Sequence, residues 1–194
     1  AALDQGFVQD KTATDAALRA KAIATGREDV TGVSAFPLLG DDGVKVAPPA
    51  PVPPLTGTQM VRPLTPHRLA EPFEALRDAA DAFIARTGTE PAVFLASIGA
   101  VIDHTARSTW IKNYLAAGGI KALTSDGYET PDAAADAFKA SGASLACICS
   151  SDALYELHAA ATARSLKRAG ASVVLMAGKP GEQEAALRDA GVDQ

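Results

Sequence analysis

Residues 67–194 are predicted to form an open α/β domain around a doubly wound, parallel sheet. Three observations predict it. Short apolar runs alternate with helix-patterned stretches at about 25–28 residues per unit, the spacing of a strand, a helical crossover and the next strand. The runs, such as Val93-Phe94-Leu95-Ala96-Ser97-Ile98, are near-continuously apolar and do not alternate with polar residues, as expected for strands covered by helices on both faces. Of the 194 residues 47% are hydrophobic but only 5% aromatic, so Ala, Leu, Ile and Val must build the core.

The elements follow in order. Leu69, Phe73, Leu76, Ala80, Phe83 and Ile84 recur at helical spacing, and Gly88 supplies a stop. Residues 93–98 are the first strand. A helix with Trp110, Ile111, Tyr114 and Leu115 runs from about 103 to 117, ended by Gly118-Gly119. Ile120 to Thr124 is the second strand. Pro131 opens a helix in its first turn, where the missing N–H is not needed, and Gly142 closes it. Ser144 to Cys149 is the third strand, Ala153 to Ala169 a helix, and Ser172 to Ala177 the fourth strand. Pro180 starts a last helix, ending at Gly191. Four strands in this arrangement suit a flavodoxin-like domain, whose fifth strand would follow Gly191-Val192-Asp193.

Two regions precede this domain. Residues 1–37 are expected to hold a helix stopped near Gly26 and then a short strand, Val30 to Phe36, closed by Pro37. Residues 38–66 are a linker. Pro48, Pro49, Pro51, Pro53, Pro54, Pro63 and Pro66 forbid a helix there and favour extended chain, either a loose tether or a strap on a partner. The chain opens on Ala1-Ala2-Leu3 and closes on Asp193-Gln194, so it is expected to be a piece of a longer polypeptide.

Composition narrows the function. The formal charge is −5 and the pI about 5.2, which gives no electrostatic footprint for nucleic acid or an anionic membrane. No apolar run reaches the length of a membrane span. Cys147 and Cys149 stand one residue apart inside an apolar run. They read as buried strand residues, and a reduced, cytoplasmic compartment is the expectation.

In open α/β sheets, ligands bind beyond the carboxyl ends of the strands. Three loops qualify: Ser97 to Arg107, Ser150 to Leu154 and Gly178 to Gly181. In the first, Asp103 precedes His104, and a carboxylate beside an imidazole is a metal-site pattern. Asp103 is equally placed to cap the following helix, leaving His104 a polar or interface residue. In the second, Ser150 and Ser151 can donate to a ligand, while Ser151 or Asp152 can cap the next helix. In the third, Gly178 admits a ligand edge or a tight turn. There is no Gly-x-Gly-x-x-Gly after the first strand and no P-loop, so a nucleotide site is unsupported. A phosphoacceptor receiver is excluded because no acid pair follows strand one. No Ser-His-Asp arrangement can be argued from His67, His104 and His158, so no catalytic residue is assigned.

The stretches Arg68-Leu69-Ala70-Glu71-Pro72-Phe73-Glu74-Ala75-Leu76-Arg77, Val93-Phe94-Leu95-Ala96, Asp103-His104-Thr105-Ala106-Arg107, Ala117-Gly118-Gly119-Ile120, Ser141-Gly142-Ala143 and Cys149-Ser150-Ser151 occur in an order that resembles the methylmalonyl-CoA mutase small (beta) subunits. Thr31-Gly32-Val33-Ser34-Ala35-Phe36-Pro37 resembles the end of their TIM barrel. The resemblance implies the end of a barrel over 1–37, the Pro-rich linker over 38–66 and a B12-binding-domain-like flavodoxin fold over 67–194. It implies a heterodimer, whose large subunit binds adenosylcobalamin and converts methylmalonyl-CoA to succinyl-CoA. The small subunit stabilises it and binds no cofactor.

Cobalamin-binding domains of this type carry Asp-x-His-x-x-Gly. The Asp orients the cobalt-ligating His, and the Gly leaves room for the nucleotide tail of the corrin. Here Asp103 is one position late, and Arg107 stands where Gly is required. No cofactor or metal ligand is therefore expected. The alternative is a working cobalamin module of an isomerase or methyltransferase, with His104 on cobalt and Asp103, Ser150, Ser151 and Gly178 around the cofactor. An unrelated flavodoxin-like binding domain is a third reading.

Overall fold

A computed structural model describes residues 4–40, 47, 48, 50, 51, 62–64 and 66–193. The chain divides into two compact units, Ala1–Phe73 and Glu74–Gln194.

In the first unit, α1 (Phe7–Ala24) is followed by Thr25 and then Gly26, whose positive φ of 67° forms the expected stop. Ile23 is the helix's buried residue, while Phe7 and Leu18 are each 64% exposed. The expected strand at 30–36 is instead a tight turn. The Val30 carbonyl accepts from the amides of Val33, Ser34 and Ala35, leaving one isolated bridge between Thr31 and Ala35. Gly32, at φ 79°, reverses the chain, so these residues bond to each other and not to a neighbouring strand. The linker prolines Pro48, Pro51, Pro63 and Pro66 carry neither helix nor strand; Pro49, Pro53 and Pro54 lie outside the described residues.

α2 (Glu71–Thr87) begins at the end of the first unit and continues into the second. The elements β1 (Ala92–Ser97), α3 (Val101–Ala117), β2 (Lys121–Leu123), α4 (Pro131–Ser141), β3 (Leu145–Cys149), α5 (Asp152–Arg168) and β4 (Val173–Met176) follow. A 3-10 turn (Gly181–Gln183) then leads into α6 (Glu184–Asp189). The four strands form one parallel sheet in the order β2-β1-β3-β4. The expected doubly wound fold is observed, with the first four places of the flavodoxin-like order. The chain leaves β1 for β2 on one side and returns to β3 on the other, so the switch point lies between β1 and β3.

Strand residues alternate between two cores. Phe94, Ala96, Ile98 and Ile148 pack with Phe138 of α4 and Leu166 of α5. Phe94 and Phe138 meet edge to face at 5.7 Å. On the opposite face Val93, Leu95, Cys147 and Cys149 pack with Ile111 and Leu115 of α3. Both cysteines are free and fully buried, as the sequence suggested. The neighbouring Cys149 side chain and burial hold the Cys147 thiol well above its ordinary value.

At the outer edge of the sheet, the Asp193 amide donates to the Val174 carbonyl at 2.8 Å, and the Val174 amide donates to the Asp193 carboxylate at 2.7 Å. The expected fifth strand concerns residues beyond those described. Among the described residues no helix is long and apolar enough to cross a membrane.

Candidate functional site

The three loops singled out by sequence converge where the chain's order reverses, and α3 supplies the side chains that fill the space between them. α3 starts at Val101, two residues before the expected 103, with Ala100 as N-cap. Asp103 is therefore not the N-cap. It is the third helical residue, and its carboxylate accepts from the Ala100 amide at 3.0 Å. Alanine has no acceptor to return, so this is half of a capping box.

His104, one position on, points into the fold and is 4% exposed. Its Nε2 lies 3.2 Å from the Asp126 carbonyl, and its Nδ1 lies 3.5 Å from Ser108 Oγ. A carbonyl only accepts, so Nε2 is the donor in this contact. Gly127 closes over the ring. Its φ is 117°, and a Cβ there would stand 3.0 Å from Nε2 and collide with the Gly99 carbonyl. The imidazole thus ties α3 to the loop after β2. The reading of His104 as an interface residue is corrected by its burial.

Arg107 crosses the switch point. Nη1 donates to the Ser150 carbonyl and Nη2 to Asp152 Oδ1, each at 2.5 Å. The guanidinium lies 4.7 Å above the Tyr155 ring, a cation–π distance. Burial works against its charge, but Asp152 and Tyr155 outweigh that and raise its pKa above the ordinary arginine value. The Tyr155 hydroxyl lies 3.0 Å from the Ile148 carbonyl and 2.9 Å from the Ala177 carbonyl, with one proton to share between them. Burial above all, and then the nearby Cys149, pushes this phenol well up.

The remaining sequence candidates are held by structure. The Ser150 hydroxyl donates to the Ile98 carbonyl at 2.7 Å. Ser151 is the N-cap of α5 and accepts from the Leu154 amide at 3.4 Å. Gly178 turns the chain through a 3.0 Å bond from its amide to the Met176 carbonyl. A Cβ on Gly178 would sit 3.5 Å from both Arg107 Nε and the Tyr155 ring, so the third loop also borders the guanidinium. Sequence reasoning missed Tyr155, Asp126 and Gly127. Gly127, in an Asp-Gly pair after a strand, was the one legible signal. Among the described residues no group of three or more His, Cys, Asp or Glu could hold a metal ion.

Fold and site together define a flavodoxin-like α/β domain whose crevice is filled by its own side chains. No family model matches the chain. Over 92% of its length it is 44% identical to the methylmalonyl-CoA mutase small subunit of Streptomyces virginiae. It is 40% identical over 95% to a probable methylmalonyl-CoA mutase small subunit of Mycobacterium bovis, and 33% identical over 82% to the small subunit of Propionibacterium freudenreichii subsp. shermanii. The chain is therefore a homologue of a segment of the methylmalonyl-CoA mutase small subunits. It spans 23–28% of the length of these relatives.

Proposed function

We propose that this chain is part of the non-catalytic small subunit of a heterodimeric, adenosylcobalamin-dependent methylmalonyl-CoA mutase. The large subunit holds the cofactor and carries out the isomerisation of methylmalonyl-CoA to succinyl-CoA. This chain stabilises it and supplies no catalytic residue. The complex is cytoplasmic.

The carrying observation is the placement of His104 and Arg107. Cobalamin needs a free imidazole nitrogen facing a slot open to the nucleotide tail. Here the outer nitrogen of His104 is bonded to the Asp126 carbonyl. The guanidinium of Arg107 lies beyond the end of β3, bonded to Ser150 and Asp152. Ser150, Ser151 and Asp103 are spent on backbone groups. These residues do not fit a corrin with its tail.

Exposed apolar side chains support a role in an assembly. Phe7 and Leu18 of α1 are 64% exposed, as suits the end of a barrel whose remainder lies elsewhere. On α3, Ile102, Trp110 and Tyr114 are 89%, 57% and 66% exposed, the last two stacked at 5.6 Å. An exposed, stacked Trp-Tyr pair is suited to contact with further protein.

The test is an assay of separately purified subunits with added adenosylcobalamin. Succinyl-CoA is expected only when the large subunit is present, with greater heat stability when the two are combined. Turnover by the small-subunit polypeptide alone would overturn the proposal.

A further inference from the structure

In most open α/β proteins the loops at the switch point are bridged by a ligand. In this domain the chain provides the bridge itself. We propose that Arg107 acts as a built-in ligand: its planar cation fastens the loops after β3 and β4 to α3 and keeps the crevice closed without any bound molecule.

Three contacts of different chemistry carry this. The Ser150 carbonyl ends β3, and the Asp152 carboxylate opens α5; both accept from one guanidinium at 2.5 Å. The Tyr155 ring supplies a flat face beneath it at 4.7 Å. Tyr155 passes the restraint on, because its hydroxyl reaches the carbonyls of Ile148 and Ala177, the ends of β3 and β4. A Cβ built on Gly178 would sit 3.5 Å from Arg107 Nε, so the loop after β4 runs beside the guanidinium. The Arg107 side chain is 27% exposed while that of Asp152 is 85% exposed. The cation is thus the enclosed member of the pair, the position a bound ligand occupies.

A fork, a charge and a flat face are all used, so lysine cannot replace arginine here. The pattern also gives a vacancy of defined chemistry when the side chain is removed. Arg107→Ala leaves a carbonyl, a carboxylate and an aromatic face arranged around a guanidinium-sized space.

The experiment is amide hydrogen exchange on the chain, comparing wild type, Arg107→Ala, Arg107→Lys and Asp152→Ala. In Arg107→Ala, residues 150–155 and 177–181 are expected to exchange about tenfold faster, with the amides of β1 unchanged. Arg107→Lys is expected to exchange like the alanine variant, and Asp152→Ala to loosen only the start of α5. Methylguanidinium at millimolar concentration is expected to restore protection to Arg107→Ala, and methylammonium is not. Wild-type protection of both loops in Arg107→Ala would overturn the proposal. So would full restoration by lysine or equal rescue by methylammonium, since either outcome reduces Arg107 to a charge. Should Arg107→Ala not fold, unchanged protection at the start of α5 in Asp152→Ala overturns it.

Discussion

His104 Nε2 and the Asp126 carbonyl lie 3.2 Å apart, 22 positions distant in sequence. The bond joins the helix after β1 to the loop after β2. His104→Ala would leave a cavity and an unpaired carbonyl in a buried place, at an expected cost of about 2–4 kcal/mol. Gly127→Ala would put a methyl group against the same ring and the Gly99 carbonyl, at a φ of 117° that L-residues avoid. A loss of about 2–4 kcal/mol is expected there too. Urea unfolding of both variants checks this, and stability equal to wild type would show the contacts to be absent.

Ser97 behaves in the opposite way. It is 1% exposed, and its hydroxyl has no hydrogen-bond partner among the described residues. A buried polar atom without a partner costs stability, so its removal is free of penalty. Ser97→Ala is expected to be neutral or to raise stability by up to about 1 kcal/mol. A loss above that amount in thermal unfolding would reveal a partner for the hydroxyl.

The Asp193 carboxyl is held below its ordinary value, first by the bond from Lys167 and then by the Val174 amide. A depressed folded value means the folded state binds the proton less readily than the unfolded chain. The stabilisation is complete above the unfolded value of about 4 and fades as pH falls through the lower folded value. The carboxylate is partly exposed, so the contribution is at most about 1 kcal/mol. Asp193→Asn is therefore expected to be less stable than wild type at pH 7 and equal to it near pH 2. A gap that persists at pH 2 would contradict this origin.

Much of this architecture was legible in the residues. Val93 to Ile98, Ser144 to Cys149 and Ser172 to Ala177 announce buried parallel strands because helices on both faces demand near-continuous apolar runs. Pro131 and Gly142 mark the ends of α4. Local patterning failed where tertiary partners decide. Val30 to Phe36 has strand-like composition but closes on its own carbonyl at Val30. Asp103 has the chemistry of a cap, yet Ala100 takes that place through backbone geometry alone. At the site, Arg107 was legible as an obstruction, while its partners Ser150 and Asp152 lie 43 and 45 positions away. No spacing rule connects residues so far apart. The register of β1 against β3 brings them together.

The central claim is that the imidazole of His104 belongs to the fold and not to cobalt. Titration of the chain with hydroxocobalamin, followed by visible absorbance, tests it most directly. The expected result is a spectrum that is the sum of protein and free cofactor, for wild type and His104→Ala alike. A saturable spectral change at one equivalent, abolished by His104→Ala, would contradict the account.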